Sequence, residues 1–155
     1  ESFGAANTPT SVITSLRVVF GSLTTADWTW DARQDAWLRS TNNTLHLLED
    51  RTRLSTKCVI LQTTRYQPTP YKDRSNSPVD EAVTVGTGKA LVACDGQAVE
   101  ATWTKSSLKA VTTYAHADTG EAIRIPTGRV WVSYVPTNGV ITLKSPVVPG
   151  TSTSV

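Results

Sequence analysis

Residues 83–103, VTVGTGKALVACDGQAVEATW, constrain this chain more than any other stretch. Two apolar runs flank Asp95-Gly96. An Asp-Gly turn of two residues takes φ > 0 at both central positions, which predicts a tight hairpin. Such a turn fixes the register: Cys94 faces Gln97, Val92 faces Val99, Ala90 faces Ala101 and Gly88 faces Trp103. Val92, Ala90, Val99 and Ala101 then share one face, with the Trp103 indole lying over the bare Gly88. The hairpin explains its own residues as architecture and supplies no chemistry.

Short strands separated by turn signals recur on either side of it. Residues 16–20 (LRVVF) read as a strand stopped by Gly21. Residues 27–40 (DWTWDARQDAWLRS) predict a second hairpin with its loop over 31–36. Trp30 then lies opposite Trp37 and Trp28 opposite Arg39, so one face carries three indoles and a guanidinium, and Thr29 and Leu38 point the other way. Residues 45–54 read as an irregular loop with one helical turn. Residues 56–64 (TKCVILQTT) form a strand too continuously apolar to leave one face in water. Residues 67–80 carry three prolines and predict an exposed crossing loop. Further strands are expected over 111–115, 122–125, 130–135 and 140–143.

Many short strands, with almost no helical periodicity, predict an all-β fold: a small antiparallel sandwich or partly open barrel with long loops. The 155 residues, 39% hydrophobic, suit one domain with a core of its own. The expected organisation is a linker or edge segment over 1–15, a β domain over 16–136, and a C-terminal extension over 137–155 that is partly strand and then tail. A formal charge of +2, with basic residues scattered along the chain, argues against a nucleic-acid partner. No apolar run is long enough for a transmembrane helix, so no direct membrane insertion is expected.

Cys58 and Cys94 both sit in strand-like runs. They read either as two buried free thiols or as one disulfide of an exported protein, with adjacent-strand geometry weighing against the bridge. Two cysteines and two histidines, His46 and His116, show no zinc-ligand spacing. Gly86-Thr87-Gly88-Lys89 lacks the spacing of a phosphate loop and feeds a strand instead of a helix, so it reads as a turn or bulge. His46 lies near Glu49 and Asp50, and this trio is the best catalytic candidate, as a general base with carboxylates; His116 offers less. Asp27, Asp31 and Asp35 extend the set of acids that could supply a glycosidase pair. For binding, the face of Trp28, Trp30, Trp37 and Arg39 is the strongest candidate, because indoles stack on sugar rings and Arg grips carboxylate or phosphate. The alternative is that these indoles are core.

The order and spacing of these pieces carry a family resemblance. They run from Trp28-x-Trp30-Asp31 and Trp37-Leu38-Arg39, with His46 in the next loop, through Val59-Ile60 to Gly86-x-Gly88-Lys89-Ala90-Leu91-Val92. Asp95-Gly96, Thr102-Trp103, Asp118-x-Gly120, Gly128, Trp131 and Val135-Pro136 complete the set. Together they resemble the C-terminal domain of the YerB-like bacterial lipoproteins, a family built around domains of unknown function. The resemblance implies an extracytoplasmic protein, lipid-anchored through an N-terminus outside this chain and carrying a preceding N-terminal domain as partner. It implies no cofactor and no activity. The expected function is therefore a non-catalytic envelope domain that packs on its partner and binds cell-wall glycan. The alternative is part of a glycan hydrolase or lyase whose site is shared with the N-terminal domain.

Overall fold

The computed structural model describes residues 3, 10–21 and 24–146, and no helix occurs among them. In chain order the strands are β1 (Ser11–Val12), β2 (Ser15–Val19), β3 (Thr25–Asp31), β4 (Ala36–Thr41), β5 (Thr44–Leu45), β6 (Ser55–Thr56), β7 (Cys58–Thr64), β8 (Tyr66–Lys72), β9 (Pro78–Ala82), β10 (Gly86–Cys94), β11 (Gln97–Lys105), β12 (Thr113–His116), β13 (Val130–Pro136) and β14 (Val140–Lys144). One sheet has the order β1-β11-β10-β7-β13, with β12 also on β11; the other runs β14-β2-β3-β4-β5, with β6 on β4. The all-β expectation holds, as an open two-sheet arrangement and not a closed barrel.

The Asp95-Gly96 hairpin, β10 with β11, lies in the middle of the first sheet. Asp95 and Gly96 take φ of 52° and 70°, the left-handed pair that a two-residue turn demands. All four predicted partners are met, from Cys94↔Gln97 to Gly88↔Trp103. A Cβ at Gly88 would lie 2.7 Å from Trp103 Nε1 and 3.0 Å from the Thr63 carbonyl. The bare glycine therefore lets the indole lie flat, and Nε1 donates to Thr63 O at 2.9 Å.

Alternation in β7 and β10 divides the core into two layers. Val59, Leu61, Leu91 and Ala93 face the second sheet and meet Leu16, Val18, Trp28 and Trp37. Cys58, Ile60, Val92 and Cys94 face the opposite way, with Val99, Ala101 and Trp103, under a cover that includes Tyr114, Ile123 and Ile125. Both faces of β7 are thus buried, as its unbroken apolar run requires. Cys58 and Cys94 are direct cross-strand partners and are disulfide-bonded, with Cα atoms 4.4 Å apart. That is the close spacing of a non-hydrogen-bonded antiparallel pair, which is why adjacent strands accommodate the bridge here.

Elsewhere the structure departs from expectation in instructive ways. β13 pairs with β7 in parallel, so the first sheet is mixed and not purely antiparallel. Residues 45–54 contain no helical turn: a Leu47↔Arg53 bridge closes them into a small loop strapped to β4 by His46 N–H to Arg39 O and Arg39 N–H to Leu54 O. The proline-rich crossing loop is instead a two-stranded ribbon, β8 with β9. Both of its strands are edges, where a missing proline N–H breaks no ladder. Residues 122–125 make only the bridge Ala115↔Ala122. The segment expected to lie beyond the domain contributes β14, paired along its length with β2, and residues 147–155 of the expected tail lie outside the described residues. In the N-terminal segment β1 is an edge strand on β11, and Ile13 is buried.

Two stability measurements follow. Replacing both Cys58 and Cys94 by serine should cost about 2–5 kcal/mol in urea unfolding, since a bridge closing this 36-residue separation restricts the unfolded chain substantially. Native protein should resist reduction until it unfolds, because both cysteines are fully buried. Gly88→Ala should cost about 1–3 kcal/mol by overpacking against Trp103, read as a lowered urea midpoint at unchanged slope.

Candidate functional site

The β3–β4 hairpin has the predicted pairing, Trp30↔Trp37 and Trp28↔Arg39, with Asp31↔Ala36 as its last rung. The loop is therefore residues 32–35. Asp31 Oδ1 accepts from the N–H of Arg33 and Gln34 at 2.9 and 3.1 Å. These hydrogen bonds, led by those from Gln34, hold the carboxyl below its ordinary pKa.

The aromatic face points inward. Trp28 and Trp37 are both 0% exposed and form part of the layer between the sheets. Trp30 is half-buried, its centroid 5.2 Å from that of Trp37, and its indole lies against Gly96, where a Cβ would come within 2.7 Å of Nε1. Of the two readings of this face, core and exposed platform, the burial of Trp28 and Trp37 fits the core. A face that can bury two whole indoles against an opposing sheet gains more by doing so than by presenting them to water.

Arg39, at the rim of this face, is different. Its guanidinium carbon lies 4.8 Å from the Trp131 ring centroid and 5.8 Å from that of Trp28. The two indoles meet edge-on at 5.5 Å. Arg39 Nη1 donates to Thr41 Oγ1 at 2.7 Å and to His46 Nδ1 at 2.5 Å. A guanidinium can only donate, so His46 Nδ1 is the acceptor and the neutral ring carries its proton on Nε2. Burial pushes the Arg39 pKa down from its usual value. Among the described residues no carboxylate comes within salt-bridge distance of it, and Nε is sealed without a partner. The site is thus a half-buried cation, fixed in direction by aromatic walls and two hydrogen bonds, at the edge where β4 passes β13.

His46, Glu49 and Asp50, the candidates for catalysis, do not come together. His46 turns to Arg39 and to Trp131, whose ring it meets at 6.2 Å. Asp50 is exposed and caps Thr52, accepting from its N–H at 2.9 Å and its hydroxyl at 2.6 Å. Those bonds, the hydroxyl's first, lower its pKa. Glu49 is exposed beside it. The other acids are occupied too: Asp27 by Arg17 at 2.6 Å and Asp35 by Lys57 at 2.5 Å, with Lys57 also 2.7 Å from Asp95. Gly86 to Lys89 lie within β10, in a strand and not at a helix start. No cluster of three His, Cys, Asp or Glu side chains among the described residues can hold a metal ion. Trp131 was not singled out as a site residue by sequence reasoning. The alternation of Trp131, Ser133 and Val135 marks an inward face, but only the parallel β13–β7 pairing brings it to Arg39.

Comparison with known proteins agrees with this architecture. The crystal structure of the YerB protein from Bacillus subtilis superposes with a TM-score of 0.64 at 14% sequence identity, a likeness of fold. The match covers 90% of this chain and 46% of that one, so the chain spans less than half the length of that protein. None of the curated proteins matches. Residues 16–132 match the family described as "Protein of unknown function (DUF3048) C-terminal domain". With three-quarters of its length inside that match, the chain belongs to this family.

Proposed function

We propose that this chain is a non-catalytic, extracytoplasmic β domain of a lipid-anchored envelope protein, and that it holds an acidic group of a cell-wall glycan at Arg39 while packing on an N-terminal domain of the same parent. The observation that carries the reading is that Arg39 has no counter-charge among the described residues. Partly burying a cation with no counter-charge is costly. A guanidinium held by Trp28, Trp131, Thr41 and His46, with Nη1 engaged and Nε sealed, keeps Nη2 for an arriving carboxylate or phosphate.

Two further features support the reading. A disulfide sealed in the core suits an oxidising compartment outside the cytoplasm. Along the terminal strand β13, Val130 and Val132 are each 41% exposed and Tyr134 38%, alternating on one face, with Leu45, Leu47 and Leu48 also exposed on the chain. Apolar strips of this kind suit a covering domain.

The test is a titration of intrinsic tryptophan fluorescence with soluble peptidoglycan fragments, run beside a titration with the N-terminal domain. Binding to fragments should be saturable, weaken with added salt, and fall about tenfold or more in Arg39→Gln, the loss of a charge-assisted pair. Equal binding by wild type and Arg39→Gln would overturn the site. Trp28→Ala, by contrast, reports on the core and should lower stability by about 3–5 kcal/mol.

A further inference from the structure

At the other edge of the first sheet, a cavity of about 230 Å³ opens beside β11. It lies where, among the described residues, no strand runs the length of β11. β1 pairs with Gln97 and Ala98, β12 pairs with Ala101 through Thr104, and Val99 and Glu100 fall between them. Leu91, Ala98 and Leu143 form apolar lining, while Glu100, His116 and Asp118 contribute charge and hydrogen-bonding capacity. The volume exceeds the roughly 150 Å³ of a protein cavity that takes up benzene.

His116 is what makes this more than a gap between strands. The residue is only 9% exposed. Its backbone is fixed on both sides, with its N–H to Glu121 O at 2.8 Å and its carbonyl to Gly120 N–H at 2.9 Å. Its ring has no hydrogen-bond partner among the described residues, and Nδ1 is sealed from solvent. His116 thus brings an imidazole with no partner to the wall of the cavity it lines. Glu100 and Asp118 do not converge with His116 into a metal-binding set, so the chemistry on offer is one hydrogen-bond donor, two carboxylates and an apolar floor.

We infer that this cavity binds a small primary ammonium compound that carries a hydroxyl or ether oxygen, with the ammonium held by Glu100 and Asp118, the oxygen accepting from His116 and the carbon skeleton resting on Leu91 and Ala98. The inference does not depend on the Arg39 reading: it concerns the opposite edge and a ligand group of opposite charge.

The experiment is amide-resolved NMR of the 155-residue chain titrated with glucosamine, with N-acetylglucosamine as the uncharged comparator. Glucosamine should give saturable shifts at Glu100, His116, Ala117, Asp118 and Thr119. N-acetylglucosamine should bind about tenfold more weakly or worse, since it lacks the charged donor. Glu100→Gln with Asp118→Asn should abolish the response while leaving the rest of the spectrum in place, as both residues are exposed. If the double variant loses spectral dispersion, Asp118→Asn alone, in an exposed turn, carries the same test. Equal responses to the two sugars, no localised response to either, or a response that survives the carboxamide variants would each overturn the inference.

Discussion

The rest of this structure depends on the pairing of β7 with β10. Both strands are buried on both sides over Cys58–Leu61 and Ala90–Cys94, so each of these residues is committed to one of two apolar layers. A slip of one residue would send Leu61 and Leu91 to the wrong layer together, exchanging whole faces. Two devices hold the register. The Asp95-Gly96 turn fixes β10 against β11, and the Cys58–Cys94 bridge fixes β10 against β7. The second sheet, the outer cover and the parallel strand β13 are all laid against a platform whose alignment is set covalently on one side and by turn geometry on the other.

That platform has two unlike edges. On the β13 side the second sheet brings up Arg39, and the environment is cationic and aromatic. On the β11 side the chain leaves a gap flanked by Glu100 and Asp118, and the environment is acidic with an imidazole behind it. Neither edge is covered by a full-length neighbouring strand, and each carries a polar group buried without a partner: Arg39 Nε on one side and His116 Nδ1 on the other. In a protein interior such groups are costly. The Trp28 and Trp37 indole nitrogens, by contrast, are sealed in the interior among the apolar residues that give the domain its stability.

How much of this was legible in the sequence follows from how local each determinant is. The register of both hairpins could be written down from the turns, because a tight turn leaves only one alignment. The double burial of β7 was readable from an apolar run with no polar alternation. The β8–β9 ribbon was hidden by its prolines, since Pro68 and Pro78 look like breakers unless both strands are known to be edges. The direction of the Trp28, Trp30 and Trp37 face could be established only as far as saying that the three share it; whether it met water or another sheet depended on partners tens of residues away. The same holds for Arg39 with Trp131, and for His116 with Glu100 and Leu143, which meet only once the sheets have formed. His46 shows the converse failure: its acids are near in sequence, but the Leu47↔Arg53 bridge turns the loop so that the imidazole meets a guanidinium instead.

The pairing of β14 with β2 has a consequence for how this domain comes into being. Thr14 donates to the carbonyl of Lys144 across 130 residues, so an outer strand of the second sheet is supplied by the last part of the described chain and received by nearly the first. Likewise β7 gains its parallel neighbour only when β13 arrives some seventy residues later. Loops of this length must close before their contacts stabilise anything, which slows folding. A chain threading out N-terminus first therefore holds β2 without this neighbour until β14 has emerged. Until the late strands pair, the fold is incomplete and both cysteines stay reachable by an oxidant that the finished fold excludes.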